Sequence, residues 1–185
     1  MKINIITPCS RPENLMTISK SINIPKENYR WIVVFDRDEL PNNELIPSNC
    51  EVYLHKNSKS KVGHAQRNFA LDIIKENYVY FNDDDTIIHP DFWENVKDST
   101  EDFIYFIQDR KDGTIRIYSN TVQVGNIDSH NFLLKYDIIG DTRWIINKYE
   151  ADGIFANECF NKSKTNKRIN KVLSTYNYLN DEHQK

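Results

Sequence analysis

The chain has 185 residues, a formal net charge of −3 and 39% hydrophobic residues. That length holds one domain with a core large enough to fold without disulfides or a structural metal. The mild negative charge lacks the basic footprint of a nucleic-acid binder, and no run approaches the roughly 20 apolar residues of a membrane span.

Three widely spaced cysteines, Cys9, Cys50 and Cys159, form no CxxC pair and read as the reduced thiols of a cytoplasmic protein. The apolar stretch over residues 1–7 is too brief for a signal-peptide core, and the sequon at Asn161 carries no weight in such a protein.

Residues 2–7 (KINIIT) predict a strand stopped by Pro8, followed by a polar turn through Arg11 and Pro12. Residues 13–21 have helical spacing, with Leu15, Ile18 and Ile22 on one face. Residues 29–35 (YRWIVVF) form a continuous β-branched and aromatic run, the pattern of a strand covered on both faces, ending at Asp36. Residues 51–55 alternate as a third strand, residues 63–77 predict the strongest helix, and residues 78–81 (YVYF) a further buried strand. Strands alternating with helices point to an α/β domain with a mainly parallel central sheet flanked by helices.

Beyond residue 100 the pattern changes. Residues 103–108 and 114–119 read as a hairpin turned by Asp112-Gly113. Residues 131–136, 144–149 and 154–160 are short amphipathic pieces, and residues 168–179 suggest a last helix.

The chemistry concentrates at Asp83-Asp84-Asp85, directly after an apolar strand. Adjacent carboxylates raise one another's pKa, and a divalent cation offsets that cost. In an extended segment Asp83 and Asp85 project to one side and Asp84 to the other, so two carboxylates address one magnesium-like ion while water or phosphate completes its shell. The other reading is an exposed acidic turn. A calcium loop is excluded, because Ile87 and Ile88 stand where an oxygen ligand and a turn glycine belong. Three further features flank this run. The loop Thr7-Pro8-Cys9-Ser10-Arg11 precedes a helix whose N-terminus favours anions. Arg67 lies on the helix leading to the acidic strand, within reach of a diphosphate or on a solvated basic face alongside Lys59 and Lys61. Asp36 ends a strand and either binds ligand or caps a turn.

The phrases Ile6-Thr7-Pro8 with Arg11-Pro12, Gln66-Arg67-Asn68 with Ala70-Leu71, and Tyr80-Phe81 with Asp83-Asp84-Asp85 resemble, in order and spacing, those of GT-A fold glycosyltransferases. The wording is closest to the β-1,3-glucuronyltransferase family and covers about the first half of the chain. The resemblance implies a Rossmann-like domain over residues 1–185, with a nucleotide-sugar half (1–100) and an acceptor half (101–185). It implies a UDP-sugar donor and Mn2+ or Mg2+. By position, Pro8 and Arg11 would lie at base and ribose, Asp36 near uracil, Arg67 at the diphosphate and Asp84 at ribose or sugar, with Thr7 a further donor-binding residue. Asp85, with Asp83, would bind metal. The acceptor, a glycan or other hydroxyl compound, has no motif to match, and glucuronic acid as the sugar is not implied.

An inverting transferase needs a base for the acceptor hydroxyl. Asp152 is the first candidate and Glu150 the second, with an N-cap aspartate as the alternative role for Asp152. Trp144 stacks on a sugar or packs in the core, and His130 and His183 are candidate third metal ligands. A sugar-phosphate nucleotidyltransferase is a competing class, but no glycine follows the first strand; a non-catalytic GT-A-like module is another.

Overall fold

The computed structural model describes residues 1–57, 59 and 62–180; Lys61 and His183 lie outside them. One sheet of eight strands organises the molecule, in the order β3-β2-β1-β4-β7-β5-β6, with β8 paired to β5.

Strands β1 (Ile3–Cys9), β2 (Tyr29–Phe35), β3 (Glu51–Leu54) and β4 (Tyr78–Phe81) are all parallel. Chain order runs outward from β1 to β2 and β3, then jumps to the opposite side of β1 for β4. The reversal opens a crevice at the carboxyl ends of β1 and β4, where ligands bind in open α/β sheets.

The apolar runs split by strict alternation. Ile6, Ile32, Val34, Val79 and Phe81 face one core, under α2 (His64–Ile73) and α5 (Ala151–Lys162). Ile3, Ile5, Trp31, Val33, Phe35 and Tyr80 face the other, under α1 (Leu15–Ser21) and α3 (Phe92–Val96). A strand buried on both faces needs this continuous apolar composition.

The second half extends the sheet with β5 (Phe103–Asp109), β6 (Ile115–Ile117) and β7 (Phe132–Lys135), all antiparallel pairings. Gly113 takes φ +82° at the expected hairpin turn, a conformation glycine adopts without steric cost.

Three expectations need correction. The first strand continues through Pro8 to Cys9, because β4 stops pairing at Ile6 and the missing N–H removes no ladder bond there. Helix α2 ends at Ile73, since Ile74 is extended and Asn77 has φ +72°. The segment expected as a last helix is β8 (Asn166–Thr175), a strand running parallel along β5. Ile169 and Leu173 are four residues apart and share one core, a spacing that suits a helix face and a strand face equally. The open edge of β5 decides between them. No helix is long and apolar enough to cross a membrane among the described residues.

Candidate functional site

A cavity of about 650 Å³ opens at the carboxyl ends of β1 and β4. It gathers Pro8, Arg11, Asp36, Arg67, Asp83, Asp84, Asp85, Glu150 and Asp152 from five separate stretches of chain. Thr7 is not among them: its side chain is buried in the sheet, where Oγ1 accepts a hydrogen bond from Trp31 Nε1 at 3.0 Å.

The alternation of β4 carries into the acidic run. Asp83 continues the α2/α5 side, and Asp84 turns toward α1. Asp84 Oδ2 accepts from the backbone amides of Ser10 (2.6 Å) and Arg11 (2.7 Å) and from Ser10 Oγ (3.0 Å). Its Oδ1 accepts from Arg11 Nη1 at 2.6 Å. The amides expected to receive a ligand anion therefore hold a protein carboxylate. Asp84, given to ribose or sugar by resemblance, lines the cavity and fastens the β1 loop to the acidic turn, and Asn14 adds a bond to its carbonyl.

Asp83 bonds to the Arg67 guanidinium, to His130 Nε2 at 2.9 Å and to Ser129 Oγ at 3.3 Å. Burial works against its charge, but Arg67 and His130 outweigh it and hold the carboxyl well below the usual range. Arg67 itself is buried. Its Nη1 donates to the Val62 carbonyl at 2.7 Å, and the guanidinium lies 4.6 Å above the Trp144 ring centre. It is not on a solvated basic face; its guanidinium bonds to two protein groups, Asp83 and the Val62 carbonyl. Trp144 packs in the core against Phe155 and Phe81 while closing this side of the cavity.

Asp85 has the least compensation of the three. It is 7% exposed, takes one 3.2 Å contact from Arg11 Nη1 on Oδ2, and leaves Oδ1 with no hydrogen-bond partner. Burial first, then the negative charge of Asp83, pushes its pKa up to about 6.

Sequence reading missed Arg116, Gln108 and Asp128, which carry no local motif. Arg116 Nη1 bonds to Gln108 Oε1 and to Asp128 Oδ2, the latter at 2.5 Å. With its oxygen so engaged, Gln108 turns its amide nitrogen to His130 Nδ1 at 3.3 Å and to Ser174 Oγ at 3.2 Å. Burial lowers the His130 pKa, whereas Asp83 against Nε2 raises it, to about 9. The Gln108 N–H at Nδ1 opposes that rise. Only topology brings these residues together, from β5, β6 and the loop before β7.

Asp152 stands in the first turn of α5, and Glu150, not Asp152, is the N-cap residue. Burial first, then Asp128, raises the Asp152 carboxyl to about 6. Glu150 lies at the rim, exposed. A Cβ on Gly153 would sit 2.6 Å from Val124 Cα, so the loop at Val124-Gly125 rests directly on the start of α5. Asp36 is exposed at the opposite rim, where Oδ1 accepts from the Asn57 amide at 3.0 Å.

A metal fits this site through Asp85 first, because the unpartnered Oδ1 is a buried anionic ligand position. Among the described residues no group of three or more His, Cys, Asp or Glu is placed to hold a metal. His130 instead spends Nε2 on Asp83.

No protein-family profile and no curated protein matches the sequence. Solved structures do match in fold. TarS residues 1–349 from S. aureus in complex with UDP-GlcNAc superposes with a TM-score of 0.72 at 16% identity, covering 95% of this chain and 58% of that one. The mannosyltransferase PcManGT from Pyrobaculum calidifontis, in complex with GDP-Man and Mn2+, gives a TM-score of 0.70 at 13% identity, covering 99% and 58%. The fold is that of GT-A glycosyltransferases. This chain spans about three fifths of the length of TarS 1–349 and PcManGT, and 36% of a longer TarS chain. The narrower likeness to β-1,3-glucuronyltransferases gains nothing from these matches.

Proposed function

We propose that this chain is a glycosyltransferase that moves a sugar from a UDP-sugar to a hydroxyl acceptor, with Mn2+ or Mg2+ held at Asp85 and Asp83. The observation that carries this reading is the Asp85 carboxylate, buried at the topological switch point with Oδ1 unpartnered and its proton affinity raised. A hard cation prefers oxygen ligands and brings phosphate oxygens as the rest of its shell, so two carboxylates suffice. Bound there, the ion would supply charge stabilisation for the departing diphosphate. The fold supports the same ligand class, since TarS is seen with UDP-GlcNAc and PcManGT with GDP-Man and Mn2+.

The chain's own residues divide the remaining tasks. Asp84 and Arg11 fix the loop that forms the donor side. Arg67 and His130 keep Asp83 ionised at neutral pH. Asp152 is the base for the acceptor hydroxyl: it lines the cavity, and burial brings its pKa to about 6, close to the working range of a general base. Glu150, exposed at the rim, is the weaker candidate.

Release of UDP from a panel of UDP-glucose, UDP-GlcNAc and UDP-glucuronate, with GDP-mannose as control, tests the reading with and without manganese. Manganese-dependent turnover of at least one donor is expected. Formation of UTP and sugar phosphate on adding pyrophosphate would indicate a nucleotidyltransferase instead.

A further inference from the structure

The cavity wall that includes Arg116, Tyr149 and Asp152 carries groups that a nucleotide and its metal leave unused. Resting on the transferase reading above, we propose that Tyr149 and Arg116 form an acceptor subsite for a neutral pyranoside, whose ring lies against Tyr149 with one hydroxyl toward Asp152.

Three observations converge. Tyr149 lines the cavity yet is 71% exposed, an open aromatic face at the mouth of a concave site. Such a face is amphipathic and matches the apolar C–H side of a sugar ring. Tyr149 also precedes Asp152 by three residues, so a ring held on it lies beside the proposed base.

Arg116 is the second component. Its guanidinium lies 3.8 Å above the Tyr176 ring centre, and both of its hydrogen bonds use Nη1. Among the described residues no hydrogen bond uses Nη2 or Nε, which leaves these donors for ligand hydroxyls. A fixed planar donor group beside an aromatic face suits a polyhydroxylated ring.

Charge sets the class. This wall carries Asp128, Glu150 and Asp152 against Arg116 and His130, whose charges are already paired with Asp128 and Asp83. A phosphorylated or carboxylated acceptor would meet net negative potential, so the ring is neutral. Val124, also on the cavity lining, packs directly on α5 at Gly153.

Saturation-transfer NMR tests this with methyl β-glucopyranoside, methyl α-mannopyranoside, glycerol 3-phosphate and a serine-containing peptide, on wild type, Tyr149→Ala and Tyr149→Phe. At least one methyl glycoside should respond with wild type and Tyr149→Phe and weaken by about tenfold with Tyr149→Ala. Equal responses with Tyr149→Ala, no glycoside response at all, or preference for glycerol 3-phosphate or the peptide, overturn the assignment. Calorimetry of UDP with manganese on the same three proteins should give affinities within about twofold of one another. Failure of wild type to bind UDP sinks the transferase reading, whereas a failed glycoside response with intact UDP binding sinks the acceptor subsite alone.

Discussion

Asp85 sits buried near two other carboxylates with one oxygen unpartnered, so in the metal-free protein its charge is a cost. Its folded pKa, about 6, lies above the ordinary value of 3.8. A carboxyl raised in this way stabilises the fold when protonated and loses that contribution as pH rises through 6. Asp152, also raised to about 6, acts with the same sign. Metal-free protein should therefore melt higher at about pH 5 than at pH 7. Asp85→Asn should raise its stability at pH 7 by about 2 kcal/mol, read by thermal unfolding with a chelator present. Manganese should stabilise wild type and not the variant. Asp152→Asn should lower kcat by about 100-fold or more while UDP affinity stays unchanged. Wild-type kcat/KM should fall below pH 6 as Asp152 takes up its proton; a flat profile to pH 5 would assign the base elsewhere.

At the scale of elements, the site depends on close approach between a helix start and a loop. Gly153 lies in the first turn of α5, where alanine propensity alone would gain about 1 kcal/mol. Its Cβ would collide with the Val124 backbone, so Gly153→Ala should instead destabilise by about 1–3 kcal/mol in urea unfolding. The clash moves Val124 off the cavity floor. The acidic strand, its helix and the parallel half were legible because each carries its own periodicity and the ligand crevice follows from strand order. The role of Asp84 was not, because its partners Ser10 and Arg11 lie about 70 residues away, and spacing says nothing of such contacts. The β8 segment was misread because four-residue spacing fits both periods, and only the vacant edge of β5 distinguishes them.

Across the whole molecule, the parallel half supplies the switch-point crevice, and the antiparallel extension walls it with Arg116, Asp128 and His130. The second half was the less legible for that reason: its site residues come from β5, β6 and a loop, joined by a hydrogen-bonded chain with no motif. Both halves meet at Asp83, held from α2 by Arg67 and from the loop before β7 by His130. Calorimetric titration of UDP into wild type and Asp85→Asn, each with manganese and with chelator, measures the joint claim most directly. Wild type should bind UDP about 100-fold more tightly with manganese than without, a difference the variant loses. Equal manganese dependence in both proteins, or tight binding by wild type in chelator, would contradict a cation bridging Asp85 and the diphosphate.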